Sequence, residues 1–333
     1  MTVGRPQHLP FTGDGSRLRM GLRPLREEDW LEIDEDLDLF VAHKQRMLSE
    51  RPADVVAVVA DSDGSVHSAS VELLECLAGH LVRWHSSTHV PAGDGIAVGS
   101  RGDVVPVTPS ALAAAGLHPI DAAGRLTQED WTIQVRRPDG WILAAASVCC
   151  PTRWVLAEKL GRPMADVHRP VAGYTEQLES AVDRFFDRIT PEEPRWRLNW
   201  NLTDSTDLYQ PGGKYRDEPD AGLTADVVAD RVWLRVERQT LRRLPRSGAV
   251  VFGIRIHSDP LGLLADRPDV LGRLAATIRS FPPGTLSHKS MGAFAPAVLS
   301  WIDRRVAGRQ PGDRWVRTQN RRSSSSTAPR RTS

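Results

Sequence analysis

Apolar residues recur along this chain with two periods, and the switch between them divides it. Over residues 23–51, Trp30, Ile33, Leu37, Phe40 and Val41 return near every third or fourth position, and Met47 and Leu48 extend the stripe. That spacing predicts helical segments, ended by Pro52 and Asp54. Residues 66–82 place Leu73, Leu74, Leu77 and Leu81 on one face of a second helix. A Gly/Ser/Thr-rich stretch, 86–102, breaks the pattern and reads as a hinge after an N-terminal helical extension (1–85).

Beyond it the period drops to two. Residues 131–135 alternate as a strand, Pro138-Asp139-Gly140 supplies a hairpin turn, and 141–150 form an apolar return strand. A short helix is expected over 154–161. A loop over 166–174 leads into a helix whose stripe is Leu178, Val182, Phe185, Phe186 and Ile189. Residues 195–202 and 231–236 read as strands around a hydrophilic loop, 210–221. The stretch 234–248 reads as a strand end turning through a helical piece to Pro245, before another strand at 250–257. Helices over 270–281 and 294–306 finish the body. A strand-rich centre with flanking helices gives an α+β fold with a mainly antiparallel sheet over 86–307.

Charge changes this picture at both ends of the body. The net charge is +1, but residues 308–333 carry seven arginines and one aspartate, leaving 36 basic against 41 acidic residues elsewhere. With Ser323 to Ser326 in a row, this tail has too little apolar surface to offset chain entropy and reads as disordered. A mildly acidic body argues against a specific nucleic-acid partner. No run of about 18 apolar residues is present, which argues against a membrane span. Residues 1–11 lack an apolar signal core, and the expected location is cytoplasmic. Cys76, Cys149 and Cys150 cannot build a disulfide framework, and the adjacent pair reads as core packing.

Chemistry is sparse by motif. GxGxxG after a strand, GxxxxGK[ST], CxxC, HExxH and a nucleophile elbow are all missing, which removes the usual signals for dinucleotides, phosphate loops, zinc and serine hydrolysis. Two places stand out. His168 lies between Val167 and Arg169-Pro170, where proline restricts the backbone and can hold an imidazole in one orientation for a metal. The stretch 234–248 crowds five arginines and Glu237 against an apolar framework. That is the composition of an anion-binding pocket wall, or equally of a solvated face or a buried ion-pair network.

The run from Pro151-Thr152-Arg153-Trp154 through Gly161-Arg162-Pro163, and then Val167-His168-Arg169-Pro170-Val171-Ala172-Gly173-Tyr174, resembles the DUF3445 family of haem-dependent oxidative N-demethylase alpha subunits. Leu198-Asn199-Trp200, Leu208-Tyr209-Gln210-Pro211 and the stretch from Arg235 to Arg255 resemble its later blocks, so the likeness spans roughly residues 10–307. The resemblance implies a PAS-like fold binding b-type haem. It implies oxygen-dependent demethylation of a small secondary amine such as dimethylamine, with the methyl carbon released as formaldehyde. Electrons would come from NADPH through a partner subunit carrying FMN and iron–sulfur, and a folate-binding subunit would collect the carbon. It makes His168 the axial iron ligand, Arg153, Arg235 and Arg238 propionate or pocket contacts, Glu237 the residue that orients the ammonium or relays protons, and Tyr174 and Trp200 pocket walls. Ala172 stands where the family has proline, and Ser287-His288 where an aromatic is usual, which bears on substrate more than on haem. The rival readings are a haem-PAS sensor and a non-catalytic scaffold.

Overall fold

The computed structural model describes residues 6–15, 20–168, 179–212, 215, 218 and 220–307, without the side chains of His168 and residues 179–181. In chain order the strands are β1 (Arg23–Pro24), β2 (Val56–Val58), β3 (His89–Ala92), β4 (Gly95–Val98), β5 (Asp103–Pro106), β6 (Asp130–Arg137), β7 (Gly140–Ser147), β8 (Arg195–Thr203), β9 (Trp233–Arg243) and β10 (Val250–Pro260). The helices are α1 (Leu37–Glu50), α2 (Pro52–Val55), α3 (Ser65–Trp84), α4 (Pro109–Ala115), α5 (Pro119–Leu126), α6 (Met164–His168), α7 (Glu179–Arg188), α8 (Val228–Arg231), α9 (Pro268–Ser280), α10 (Pro283–His288) and α11 (Ala295–Ala307). A seven-stranded sheet runs β1-β8-β9-β10-β6-β7-β2 with every pairing antiparallel, and β3-β4-β5 form a small second sheet. The mixed α+β class and antiparallel character expected from the sequence are both present.

Three local expectations change. The Gly/Ser/Thr-rich stretch forms β3 and β4 rather than a hinge: its glycines, Gly93 and Gly99 at positive φ, make the turns of a meander. Residues 154–161 hold only a 3₁₀ turn, Leu156–Glu158, because Gly161 at φ 74° and Pro163 leave no room for an α-helix. Residues 234–243 continue a single strand, β9, paired along its length with β10 from Val250↔Arg243 to Pro260↔Trp233. The strand is buried along most of its length, and the helical reading of its arginines fails because cross-strand partners satisfy the backbone on both sides.

Strand alternation gives the sheet two unlike faces. One face carries Trp131, Ile133, Val251 and the inner side of α3 and α5, in a core that also takes Trp30, Leu73 and Leu77. Gly253 belongs here for a steric reason: a Cβ would lie 2.8 Å from the Trp131 ring and 2.8 Å from Thr240 Oγ1. The far end of the same face is covered by α9 and α11, through Leu274, Ile278 and Trp301 packed on Leu234 and Val236; on the other face Leu208 and Cys149 cluster at one end with Ile254 and Ile256. At the other end α6 and α7 approach Trp141, Leu241 and Val250. Between these two ends the face is open. No helix among the described residues is long and apolar enough to cross a membrane.

Candidate functional site

The gap on the second face is a cavity of about 320 Å³. The register assembles its floor row by row. Leu241 of β9 pairs with Phe252 of β10, which pairs with Thr132 of β6; one row along, Arg197 of β8 pairs with Gln239, which pairs with Ile254. The next row sets Asn199 beside Glu237. Because side chains alternate, these all project to the same side. Met164 and Val167 of α6, Val182, Phe185 and Phe186 of α7, and Met20 and Leu22 close one wall with apolar surface. Thr285, His288 and Lys289, from α10 and the turn after it, close the other.

The polar wall is cationic. Among the described residues, Arg153, Lys159, Arg197 and Lys289 line the cavity with one carboxylate, Glu237. Arg153 sits at φ 57°, a left-handed conformation that a branched-off side chain adopts at a cost. It is held there by Nη1 donating to the Lys289 carbonyl (2.9 Å) and Nη2 to the Leu202 carbonyl (3.2 Å). Ser290, next to Lys289, is also left-handed at φ 51° and fully buried. Lys289 Nζ donates to Asn199 Oδ1 (3.3 Å) and the Trp200 carbonyl (2.6 Å), and lies 5.5 Å from the Trp200 ring. Burial pulls its pKa down to about 8; Glu237 pulls it up, and Arg197 and Arg153 push it further down. The ammonium has lost water without gaining an equal countercharge.

Glu237 is shaped by its neighbours. Its Oε2 accepts from Gln239 Nε2 at 2.7 Å and Asn199 Nδ2 at 3.1 Å. Gln134 Nε2 donates to Thr132 Oγ1 at 2.6 Å, and its Oε1 is buried without a hydrogen-bond donor. Such an acceptor facing a cavity is costly unless something fills the space.

Of the residues singled out in the sequence, Arg153, Trp200 and Glu237 line this cavity together. Arg235 and Arg238 do not. Arg235 is fully buried at the strand end, where its guanidinium donates to the Cys150, Asp207 and Leu208 carbonyls and to Thr152 Oγ1, binding two loops together. Arg238 points to the opposite face, donating to the Trp30 and Asp29 carbonyls and pairing with Glu32 at 3.1 Å. The backbone of His168 ends α6, one residue after cavity-lining Val167, and its side chain lies outside the described residues. Tyr174 also lies outside them. Sequence reasoning assigned no site role to Arg197 or Gln239, nor to His288 and Lys289, although Arg197 is one of the arginines of the strand-rich centre and His288 marks a departure from the family pattern. The first two were detectable as the cross-strand partners of Glu237's face; the last two needed the tertiary fold. Cys149 and Cys150 are core residues: burial raises both thiols, Cys149 to about 12, which leaves them unreactive.

The model of the haem-dependent oxidative N-demethylase, alpha subunit-like family matches residues 21–299, a span that holds every described wall of the cavity except Met20. The chain belongs to that family.

Proposed function

We propose that this chain is the haem-binding, oxygen-using subunit of an oxidative N-demethylase acting on a small secondary amine such as dimethylamine, and that its sheet and helices form the PAS-like haem domain the family resemblance implies. The observation that carries the reading is the cavity's division. One wall is apolar, which suits a flat macrocycle, and Arg153, Arg197 and Lys289 gather on the other side of the cavity around Glu237. Haem is that kind of ligand, an apolar disc with two anionic propionates. Lys289, with its depressed pKa, is the residue an anion would restore.

The residues present therefore fit the group. Arg153, Arg197 and Lys289 would hold the propionate edge, Phe185, Phe186 and Leu241 the faces, and Trp200 the rim. His168, the last residue of cavity-lining α6, is the proposed iron ligand; among the described residues His288 is an imidazole bordering the cavity. Bound haem would supply the activation of oxygen.

The protein's own part is electrostatic and positional. Glu237 is the carboxylate that the described residues place on the cavity wall, and it attracts the substrate ammonium. Gln239 and Asn199 hold its Oε2 by donating to it, so the outer oxygen is turned to the substrate rather than free to rotate. The same carboxylate can take the ammonium proton as the methyl group is oxidised. The balance requires two electrons and two protons with each O₂: the methyl carbon leaves as formaldehyde and the second oxygen as water. We assign the electrons to NADPH through a partner subunit with FMN and iron–sulfur, and capture of the carbon to a folate-binding partner.

An absorption spectrum of the purified chain tests the reading. A Soret band that is altered in His168→Ala and perturbed by dimethylamine is expected. A chain that stays colourless after haem reconstitution overturns it. A haem-loaded chain that shows no amine-dependent oxygen uptake with its reductase would be a sensor or scaffold.

A further inference from the structure

On the sheet face away from the cavity, three side chains from distant parts of the chain meet at one point. His8 Nε2 lies 3.1 Å from both oxygens of Glu32, and His257 Nε2 lies 2.9 Å from Glu32 Oε2. The three potential ligand atoms all fall within 4.8 Å of one another. We propose that His8, Glu32 and His257 form a binding site for a divalent transition-metal ion, with zinc the best match.

The spacing is close to what an ion needs. Bonds of about 2.0–2.1 Å at tetrahedral angles set neighbouring ligand atoms roughly 3.3 Å apart. The observed separations from the histidines to the carboxylate are a few tenths of an ångström shorter, so small side-chain rotations would open the site. Two imidazoles and one carboxylate are also the donor set that catalytic zinc and its first-row neighbours use, and one that magnesium and calcium, which want oxygen, do not.

The supporting shell is in place as well. Arg238 Nε pairs with Glu32 Oε1 at 3.1 Å, which fixes that oxygen and leaves Oε2 toward both imidazoles. The Glu32 backbone N–H donates to Glu129 Oε1 at 3.0 Å, anchoring the segment. The His8 and His257 rings meet edge to face at 4.8 Å. Asp259 lies two residues along β10 and so on the same face as His257. The site is sheltered yet reachable, its side chains being 12%, 18% and 10% exposed for His8, Glu32 and His257.

A metal here would do mechanical work. His8 belongs to the segment 6–15, which is tied at its other end by Phe11 in the core under α9 and by Gly13 and Gly15 N–H groups donating to Thr277 and Ser280 hydroxyls. An ion would pin the front of that segment to β10 and to Glu32. The cavity lies across the sheet, so the site is independent of the haem reading.

The test uses the full-length chain, stripped with chelator, loaded with Zn²⁺ and freed of excess by buffer exchange. Elemental analysis should find one zinc per chain, and Zn²⁺ should raise the thermal midpoint. His8→Ala and His257→Gln should each weaken zinc binding at least about tenfold and abolish the midpoint shift, with haem binding retained. His67→Ala, at the separate His67–His118 pair, should change neither. His8 lies on a peripheral segment, so His8→Ala decides the matter even if His257→Gln fails to fold. Failure of the wild type to retain zinc, or retention unchanged in His8→Ala, overturns the proposal and leaves a hydrogen-bonded His–Glu–His cluster.

Discussion

The two faces of the central sheet carry the same kinds of side chain to different ends. On one face Arg238 and Arg255 are buried and satisfied: Arg255 pairs with Asp34 at 2.7 Å, Arg238 with Glu32, and backbone carbonyls take up further donors on each. On the other face Arg153, Arg197 and Lys289 surround a cavity with one carboxylate among its described residues. Buried charge closed on itself holds a structure together; the cations gathered around the cavity are the ones we propose meet a ligand. β9 shows the difference within three residues, since Glu237 looks into the cavity and Arg238 into the ion-pair network.

The largest effect that can break this contrast is on the closed face. Arg255→Leu removes the cation that pairs with Asp34, and Arg238→Ala the one that pairs with Glu32. Each should cost about 3–5 kcal/mol of unfolding free energy, read from urea denaturation. A loss as small as that of an exposed ion pair would show that the closed network is ornamental. On the open face the prediction inverts. Lys289→Met combined with Arg197→Leu should weaken haem binding at least about tenfold, or roughly 1.4 kcal/mol, with little change in the denaturation midpoint. Collapse of the fold instead would mean that these cations are structural, like those opposite.

Glu237→Gln separates binding from turnover on the same wall. It should leave the Soret band and lower amine-dependent oxygen consumption by roughly 10²-fold, the usual scale for losing a positioned base. A smaller but sharper effect comes from pH. The Lys289 ammonium has a pKa lowered to about 8 from its ordinary 10.5, so it is charged below that value and neutral above. Haem affinity of the haem-free chain should fall as pH rises through about 8, and Lys289→Met should flatten that dependence. The linked stability runs the other way: the buried charge destabilises the empty fold below about pH 8, and the penalty is relieved toward pH 10.5.

How much of this was legible in the sequence differs by length scale. Period-two runs located β6, β8 and β10, and the leucine stripe located α3, because burial of one face dictates those patterns. The arginine-rich run misread as partly helical is a strand because pairing on both edges overrides the helix preference of Arg, Gln and Leu. Glu237 and Arg153 were picked out by charge and motif. The facing of Arg235 and Arg238 was not, since it depends on where β9 meets its loops. His288 stood out only as a departure from the family pattern and Lys289 not at all: they reach the cavity only after α10 folds across β8.

The central claim is that the open face, and nothing else on the sheet, holds haem. Titrating the haem-free chain with haem and following the Soret band tests it directly, with wild type compared to Leu241→Trp, which fills the cavity floor, and His8→Ala on the far face. One haem per chain in wild type and His8→Ala, with binding lost in Leu241→Trp while its circular dichroism is unchanged, is the predicted result. Undiminished haem binding by a folded Leu241→Trp chain would contradict it.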